Sequence, residues 1–367
     1  MISDAERQDR RELLKFTGGV FRIKADRHVP KVYAYDDFTD IHGVYKDDGK
    51  IVGGICVLPG KIIFGDESII TAGIGSVAVA KSHRNRGIMG GLMTYAEKKS
   101  LSYKADIGFL TGYRGRYERF GYIPSGMRFS FDISGYFIKI RKDSVAYKFS
   151  SRLSKAELDR ISELYSTLPF GFERNRERLE SILRTWRSEP YSVTNENGDF
   201  CGYLIYKPDE KAITELFLKD NKSAAEVLRR FAEKRKLHSF SVRACYAQNE
   251  LIKELMGISE RYRIESAANF KIFNFESFIG KMIKMRLSVA PLQSGSLVLQ
   301  IEDEKLRITV DGISSEVAKT SDAPDLVFTK AQATVLLTRP EGAMTDNALF
   351  NSWAPLCPLG MFSVDLV

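Results

Sequence analysis

Apolar and polar positions along the chain follow helical and strand periods in a repeating order. Leu13, Leu14 and Phe16 form one side of a helix predicted over residues 5–21. Residues 40–45, 50–58 and 61–64 read as strands. Asp47-Asp48-Gly49 makes a turn before the second of these, and Pro59-Gly60 is a hairpin signal joining the last two. Residues 74–80 are small, apolar and rich in valine, which predicts a buried strand. A short basic turn, 81–86, follows. Gly87 then opens a segment with Met89, Leu92, Met93 and Ala96 at helical spacing, and residues 105–111, ADIGFLT, make another apolar strand.

The same order returns in residues 200–257. Strands CGYLIYK and AITELFLKD are followed by a helix over 223–236, the strand SFSVRAC and a short helix at 251–256. The loop here, Lys219-Asp220-Asn221-Lys222, lacks the arginine pair and glycines of residues 84–91, so this stretch reads as a second copy of one fold without its basic loop. Between the copies, helices are predicted over 154–165, with Leu158, Ile161 and Leu164 on one side, and over 177–186. Leu179, Ile182, Leu183 and Trp186 form the core side of the latter, and Trp186 is read as a packing residue. Arg174, Arg176, Arg178 and Arg184 have acidic neighbours and are read as a solvated or interface face. From residue 270 the pattern changes to SGSLVLQIEDEKLRITVDGIS, an antiparallel hairpin turning at 302–304. A strand at 324–328, a helix at 330–338 and the strand-like run MFSVDLV complete the chain.

Composition narrows the class. A chain of 367 residues predicts two or three domains, and 44% hydrophobic content is ordinary for a globular protein. No apolar run approaches the ~20 residues of a membrane span, and the first residues lack a signal-peptide core. Cys56, Cys201, Cys245 and Cys357 are scattered, without ligand spacing, and the 4 histidines are far apart. The expectation is a reduced cytoplasmic protein without structural metal. The net charge of +8 is spread among nearly as many acidic residues, and pairs such as Lys98-Lys99 and Arg229-Arg230 suit solvated helix faces. Neither nucleic acid nor membrane is expected as a partner.

The strand at 74–80 feeds its helix through a loop carrying Arg84, Arg86, Gly87, Gly90 and Gly91. The first turn of a helix has unpaired N–H groups and a partial positive charge. Glycines let a phosphate approach the backbone, and arginines add charge-assisted hydrogen bonds. The stretch therefore reads as a pyrophosphate cradle. GxGxxG after the strand and GxxxxGK[ST] are both absent. What stands there, VAVAKSHRNRGIMGGLM, resembles the acetyl-CoA loop of the GCN5-related N-acetyltransferases (GNAT), whose pattern is Arg/Gln-x-x-Gly-x-Gly/Ala. Residues 84–89 fit it except that Met89 takes the last, small position and Gly90 follows. The resemblance implies acetyl-CoA binding at Val77, Ala78, Val79, Arg84, Asn85, Arg86, Gly87, Ile88, Met89 and Gly90. The backbone N–H groups of Val77 and Val79 would hold the pantetheine arm and polarise the thioester.

A second stretch, GYRGRYERFGYIPSG, contains Tyr117 followed by Arg119-Phe120-Gly121-Tyr122. It resembles the Y-x-R-F-G-Y segment of the Eis-type (enhanced intracellular survival) acetyltransferases. That likeness implies that Tyr117 is the general acid for the departing CoA thiolate, and that the α-carboxylate of Val367 is the base for the acceptor amine. Asp365 is a second candidate, attracting a cationic acceptor or acting through water. The implied fold is α+β, two tandem GNAT-like acyl-CoA N-acyltransferase domains (1–135 and 136–269, the second lacking the CoA loop) followed by a sterol-carrier-protein-like domain (270–367). The implied activity is direct acetyl transfer to a small-molecule primary amine, with aminoglycosides and polyamine-like compounds among the acceptors, in a chain that associates as a hexamer. A non-catalytic, CoA-binding regulatory protein is the alternative.

Overall fold

The structure is a computed structural model, and it describes residues 2–35, 37–136, 146–339, 345–354 and 359–367. Cys357 lies outside the described residues. Three sheets organise the chain. In the first, β1 (Ile2–Asp4), β2 (His42–Asp47), β3 (Lys50–Phe64), β4 (Glu67–Val79), β5 (Ile107–Leu110), β15 (Ala268–Ile272) and β6 (Ile123–Ser125) lie side by side in that order, with β9 (Gly171–Phe172) added to β3. The second orders β8 (Lys148–Ser150), β10 (Glu189–Thr194), β11 (Phe200–Lys207), β12 (Ala212–Leu218), β13 (Ser239–Ala244), β7 (Arg128–Ser134) and β14 (Arg261–Glu265). Each has one parallel contact, β4 with β5 and β12 with β13; the other pairs are antiparallel. A parallel pair needs a crossover, supplied by helices α2 (Ile88–Ser102) and α4 (Ala224–Arg235).

The repeat read from the sequence is therefore present as shared topology, with one feature that local patterns did not carry. β7 precedes the second copy in the chain yet lies inside the second sheet, while β15 follows that copy and lies inside the first. Each half is completed by a strand from beyond its own run of sequence. The third sheet orders β18 (Ser315–Lys319), β17 (Glu304–Val310), β16 (Gly295–Ile301) and β19 (Leu326–Phe328), and it is accompanied by α5 (Phe275–Leu287) and α6 (Lys330–Thr338). β18 and α5 were not anticipated. The fold is thus mixed α/β with several sheets.

Local signals explain most elements. Helix α1 (Arg10–Phe21) buries Leu13 and is preceded by a short 3-10 turn, Arg7–Asp9, so the expected helix over 5–21 begins with a tighter turn. Helix α3 (Lys155–Tyr165) starts at a capping box: Ser154 Oγ accepts from the Glu157 N–H at 3.2 Å, and Glu157 Oε2 accepts from the Ser154 N–H at 2.8 Å.

Two expectations are corrected. Pro59-Gly60 is no turn: β3 runs through it, with Pro59 opposite Ala72, and the hairpin closes at Gly65-Asp66. Pro59 is tolerated because its outer edge is unpaired there. The β2 ladder stops at Cys56 and the β9 contact begins at Ile62. The run MFSVDLV is no strand either; it is a buried, irregular segment with a 3-10 turn at Ser363–Asp365. Its apolar side chains meet several elements rather than one ladder.

Packing follows the predicted faces. Leu92, Met93 and Ala96 of α2 join Ile55, Val57, Ala72 and Ile74 in a core below the first sheet. In the second, Phe231 of α4 is fully buried and meets Phe149, Tyr191 and Tyr206 edge to face at 5.3, 5.2 and 5.4 Å between centroids. Phe231→Ala empties the centre of this cluster and is expected to cost about 3–5 kcal/mol, read as a lower denaturation midpoint in urea.

Candidate active site

The pairing of β4 with β5 ends at Ile74 and Leu110, but β4 continues to Val79. Beyond that point the two strands part and a wedge opens. A bulge in β4 sits at its base, where the β3 register shifts between Gly54 and Cys56 and Ser76 takes φ 53°. Tyr33, fully buried, donates its hydroxyl to Ser76 Oγ at 2.7 Å and braces the bulge. Past the bulge, the Ala80 N–H donates to Val52 O on the β3 side at 2.8 Å. Strand alternation then turns the N–H groups of Val79 and Val77 away from β3, into the wedge, while the Ala78 side chain is buried.

At the wide end of the wedge stands residues 81–90. Lys81–His83 makes a 3-10 turn, and His83 Nε2 sits 3.0 Å from Asp47 Oδ2. Arg84, Asn85, Arg86 and Gly87 are exposed, with Asn85 at φ 65° and Gly87 at φ 75°. Gly87 is the N-cap of α2 and provides no side-chain cap, so the first-turn N–H groups of Ile88, Met89 and Gly90 have no intrahelical acceptor. A Cβ on Gly87 or Gly90 would meet nothing within 4 Å. Among the described residues, no carboxylate is paired with Arg84 or Arg86. Ile88 is buried and anchors the helix, whereas Met89 is half-buried. Open backbone donors, two unpaired guanidinium groups and a helix N-terminus make a site suited to a polyanion such as a pyrophosphate.

Tyr117 closes one side of the wedge. It ends the short helical turn Arg114–Tyr117, is 9% exposed, and lies so close to Gly112 that a Cβ there would be 2.7 Å from its Cε2. Burial raises the pKa of its phenol, against a smaller lowering by Arg116, so it keeps its proton at neutral pH. The other side is Val367. A Cβ on Gly73 or on Gly75 would lie 2.5 Å from its side chain, and one on Gly75 would lie 2.8 Å from its carbonyl carbon. These two glycines leave the space that Val367 occupies against β4, at the point where β5 departs.

Asp365 plays a different part from the one expected. Its carboxylate is buried and held by Arg174, Nε to Oδ1 at 2.9 Å and Nη2 to Oδ2 at 3.0 Å, so it is committed to an ion pair and does not meet an acceptor. Arg174 itself is buried rather than solvated, whereas Arg176 stays exposed, Arg178 pairs with Asp37 and Arg184 with Glu180. The helix expected over 177–186 is two turns around Leu179–Leu183, and Trp186 takes φ 63°. Its ring meets His28 edge to face at 5.5 Å and its Nε1–H donates to Leu366 O at 3.0 Å, which is more than packing. Sequence reasoning passed over Tyr33, Ser76, Lys31 and Glu215. Glu215 alone left a signal, a lone carboxylate inside the apolar run AITELFL.

The counterpart wedge in the second sheet is closed. β12 and β13 pair only at Ala212 and Ile213, but Gln248 bridges the gap beyond: its Nε2 donates to Leu216 O at 2.7 Å and its Oε1 accepts from the Cys245 N–H at 3.0 Å. In the loop ahead of α4, Asp220 Oδ1 accepts from the Lys222 N–H at 3.0 Å, placing a carboxylate where the first sheet presents open donors. Among its described residues, the second half therefore shows neither an open wedge nor a cradle.

Residues 2–124 match the family model for an acetyltransferase (GNAT) domain, so the chain carries such a domain around the open wedge. The whole chain has the fold of two GCN5-related N-acetyltransferases. That from Kribbella flavida superimposes with a TM-score of 0.67 at 14% identity, covering 94% of this chain and 90% of the other. That from Anabaena variabilis gives 0.70 at 17% identity, covering 96% of each. Eis1 from Mycobacterium abscessus gives 0.63 at 15% identity, with 91% and 88% covered. These likenesses are of fold. No curated protein matches the sequence, and no helix among the described residues is long and apolar enough to cross a membrane.

Lys31 gives the neighbourhood of Val367 a measurable pH signature. It is buried, donates from Nζ to Val364 O at 2.7 Å, and has its pKa lowered from 10.5 to about 7 by desolvation, partly offset by Asp365. Folded Lys31 binds its proton less well than the unfolded chain does. Its charged form thus weakens the fold fully below pH 7, and this penalty is relieved as pH rises from about 7 toward 10.5. Denaturation of the intact chain, compared with Lys31→Met, is expected to show stability rising across that window and level below it.

Proposed function

We propose that the chain is an acetyl-CoA-dependent N-acetyltransferase that passes the acetyl group directly to a primary amine. One observation carries this reading above the others: the open wedge of the GNAT domain is flanked by the uncapped α2 N-terminus with Arg84 and Arg86, by Tyr117 against Gly112, and by Val367 against Gly73 and Gly75. The acyl donor brings an activated thioester and a pyrophosphate. Residues 84–90 hold the latter, and the Val77 and Val79 N–H groups point where a thioester oxygen would gain negative charge.

In the proposed step, the α-carboxylate of Val367 takes a proton from the acceptor ammonium, and the freed amine nitrogen bonds to the acetyl carbon. The carbon–sulfur bond breaks, Tyr117 gives its proton to the departing sulfur, and the second proton that the nitrogen sheds as it becomes a neutral amide returns through water to the Tyr117 oxygen. Its raised pKa suits a donor that must stay protonated until the thiolate forms. Cys56 and Cys245 are buried with thiol pKa values pushed up by desolvation, which favours direct transfer over an acyl-cysteine route. The acceptor class, amines including aminoglycosides and polyamine-like compounds, belongs to this proposal. So do hexameric assembly, a cytoplasmic setting, a sterol-carrier-protein-like C-terminal domain, and a division at 135 and 269 across which β7 and β15 each join the sheet of the other half.

Two sets of variants test the reading. Replacing Arg84 and Arg86 by alanine removes charge-assisted contacts from an exposed loop, so acetyl-CoA binding is expected to weaken about tenfold or more with little change in stability, read by calorimetry. Tyr117→Phe, and a chain lengthened by a few residues past Val367, are each expected to lose about 10²-fold in turnover with an amine panel while keeping acetyl-CoA affinity. Unaltered turnover in the lengthened chain would remove Val367 as the base. Tight acetyl-CoA binding without turnover on any amine would favour a regulatory CoA-binding protein.

A further inference from the structure

Leu359 and residues 361–367 are buried without belonging to any sheet. Leu359, Met361, Phe362, Val364, Leu366 and Val367 are all under 8% exposed, yet no ladder fixes their register. What holds the segment is a series of single contacts. The Met127 N–H donates to Leu359 O at 2.8 Å, Arg243 to Ser363 Oγ at 3.2 Å, Lys31 to Val364 O at 2.7 Å and Trp186 to Leu366 O at 3.0 Å. Only Asp365 engages through its own charge. The Arg174 guanidinium that binds it is also bidentate to Glu215 on β12, Nη1 to Oε1 and Nη2 to Oε2 both at 2.8 Å. Its carbon centre lies 3.8 Å above the Tyr165 ring, and Tyr203 donates to Glu215 Oε1 at 2.5 Å.

We propose that Arg174, seated on Glu215 of the second sheet, is the clasp that sets the position of Val367 in the wedge of the first. Glu215 alone would neutralise Arg174. The second carboxylate is supplied by the very segment that reaches β4, two residues before its last one. An extended chain advances about 3.3–3.6 Å per residue, so any slip of Asp365 is passed almost undiminished to Val367. A planar guanidinium gripping two carboxylates in a dry, aromatic-lined site fixes orientation as well as distance, which a lysine would not do. The second sheet, whose own wedge is sewn shut, thus contributes a socket. The catalytic consequence rests on the reading of Val367 as the base, whereas the clasp itself does not.

The test uses the full chain with Asp365→Asn and Arg174→Lys. Asp365→Asn leaves the Arg174–Glu215 pair intact, so the second sheet keeps its buried charges balanced even if Arg174→Lys fails to fold. Trimming from the C-terminus by a carboxypeptidase is followed together with kcat, KM for the amine and Kd for acetyl-CoA. Loss of a charged hydrogen-bond pair is expected to speed trimming about tenfold or more. Turnover is expected to fall by about 10²-fold, as displacement of a reacting group by ~1 Å can do, with Kd for acetyl-CoA unchanged. Phe231→Ala, which weakens the second sheet away from the segment, serves as the control. Trimming no faster in Asp365→Asn than in the intact chain, or equally fast in Phe231→Ala, overturns the clasp. Faster trimming with undiminished turnover upholds the clasp and removes Val367 from the chemistry.

Discussion

The site depends on a mismatch of strand lengths. β4 has thirteen residues and β5 four, and their parallel contact ends at Ile74 and Leu110. From there β4 has a partner on one side only, and backbone donors left facing a gap must find other acceptors. A ligand that inserts along β4 can supply them as a sheet partner would. The bulge at Ser76 gives the strand an extra residue at the point of parting, and the buried Tyr33 hydroxyl keeps that conformation in place. Tyr117 and Val367 enter from opposite sides because Gly112, Gly73 and Gly75 have no side chains to exclude them. The candidate site is therefore assembled around a region of incomplete pairing.

The second sheet shows what happens when the same topology is completed internally. Gln248 spans the gap with one side chain, satisfying both a carbonyl of β12 and the N–H of Cys245. Asp220 occupies the head of the crossover with a carboxylate, which works against an anionic ligand. The reciprocal placement of β7 and β15 then ties the two sheets so that neither is complete without the other. A long-range contact such as Arg174 to Asp365 can transmit position across such a joint, because both sides belong to one packed core that includes Tyr165, Phe217 and Phe362.

What was legible in the sequence was local. The basic loop after residues 74–80, the helix over 154–165 and the helix over 330–338 each declare themselves within a few residues, and the structure places elements there. The repeated order of elements was visible for the same reason. The misreadings all involve partners distant in sequence. Pro59-Gly60 has the composition of a turn, but whether it bends depends on where β2 and β9 lie. MFSVDLV has strand composition, but its side chains are drawn to several separate surfaces. Arg174 sits in a charged run that suits a wet surface, and only the fold brings Glu215, 41 positions away, and Asp365, 191 positions away, onto it. No periodicity rule sees such a cluster.

The charge on this segment also explains why it is built from mixed contacts and not from apolar packing alone. Glu215 and Asp365 together bring two negative charges into the interior, and Arg174 balances one. Lys31, buried nearby and attracted by Asp365, can supply the second positive charge, but desolvation opposes it so strongly that its proton is only loosely held near neutral pH. An all-apolar segment would bury with less expense of desolvation. It would also lack a unique register, because methyl groups pack in several ways while a guanidinium fork accepts a carboxylate in few. A residue delivered into a wedge between two strands tolerates little freedom along the chain axis. The ionic cluster trades stability for that definition, and it does so two residues before Val367.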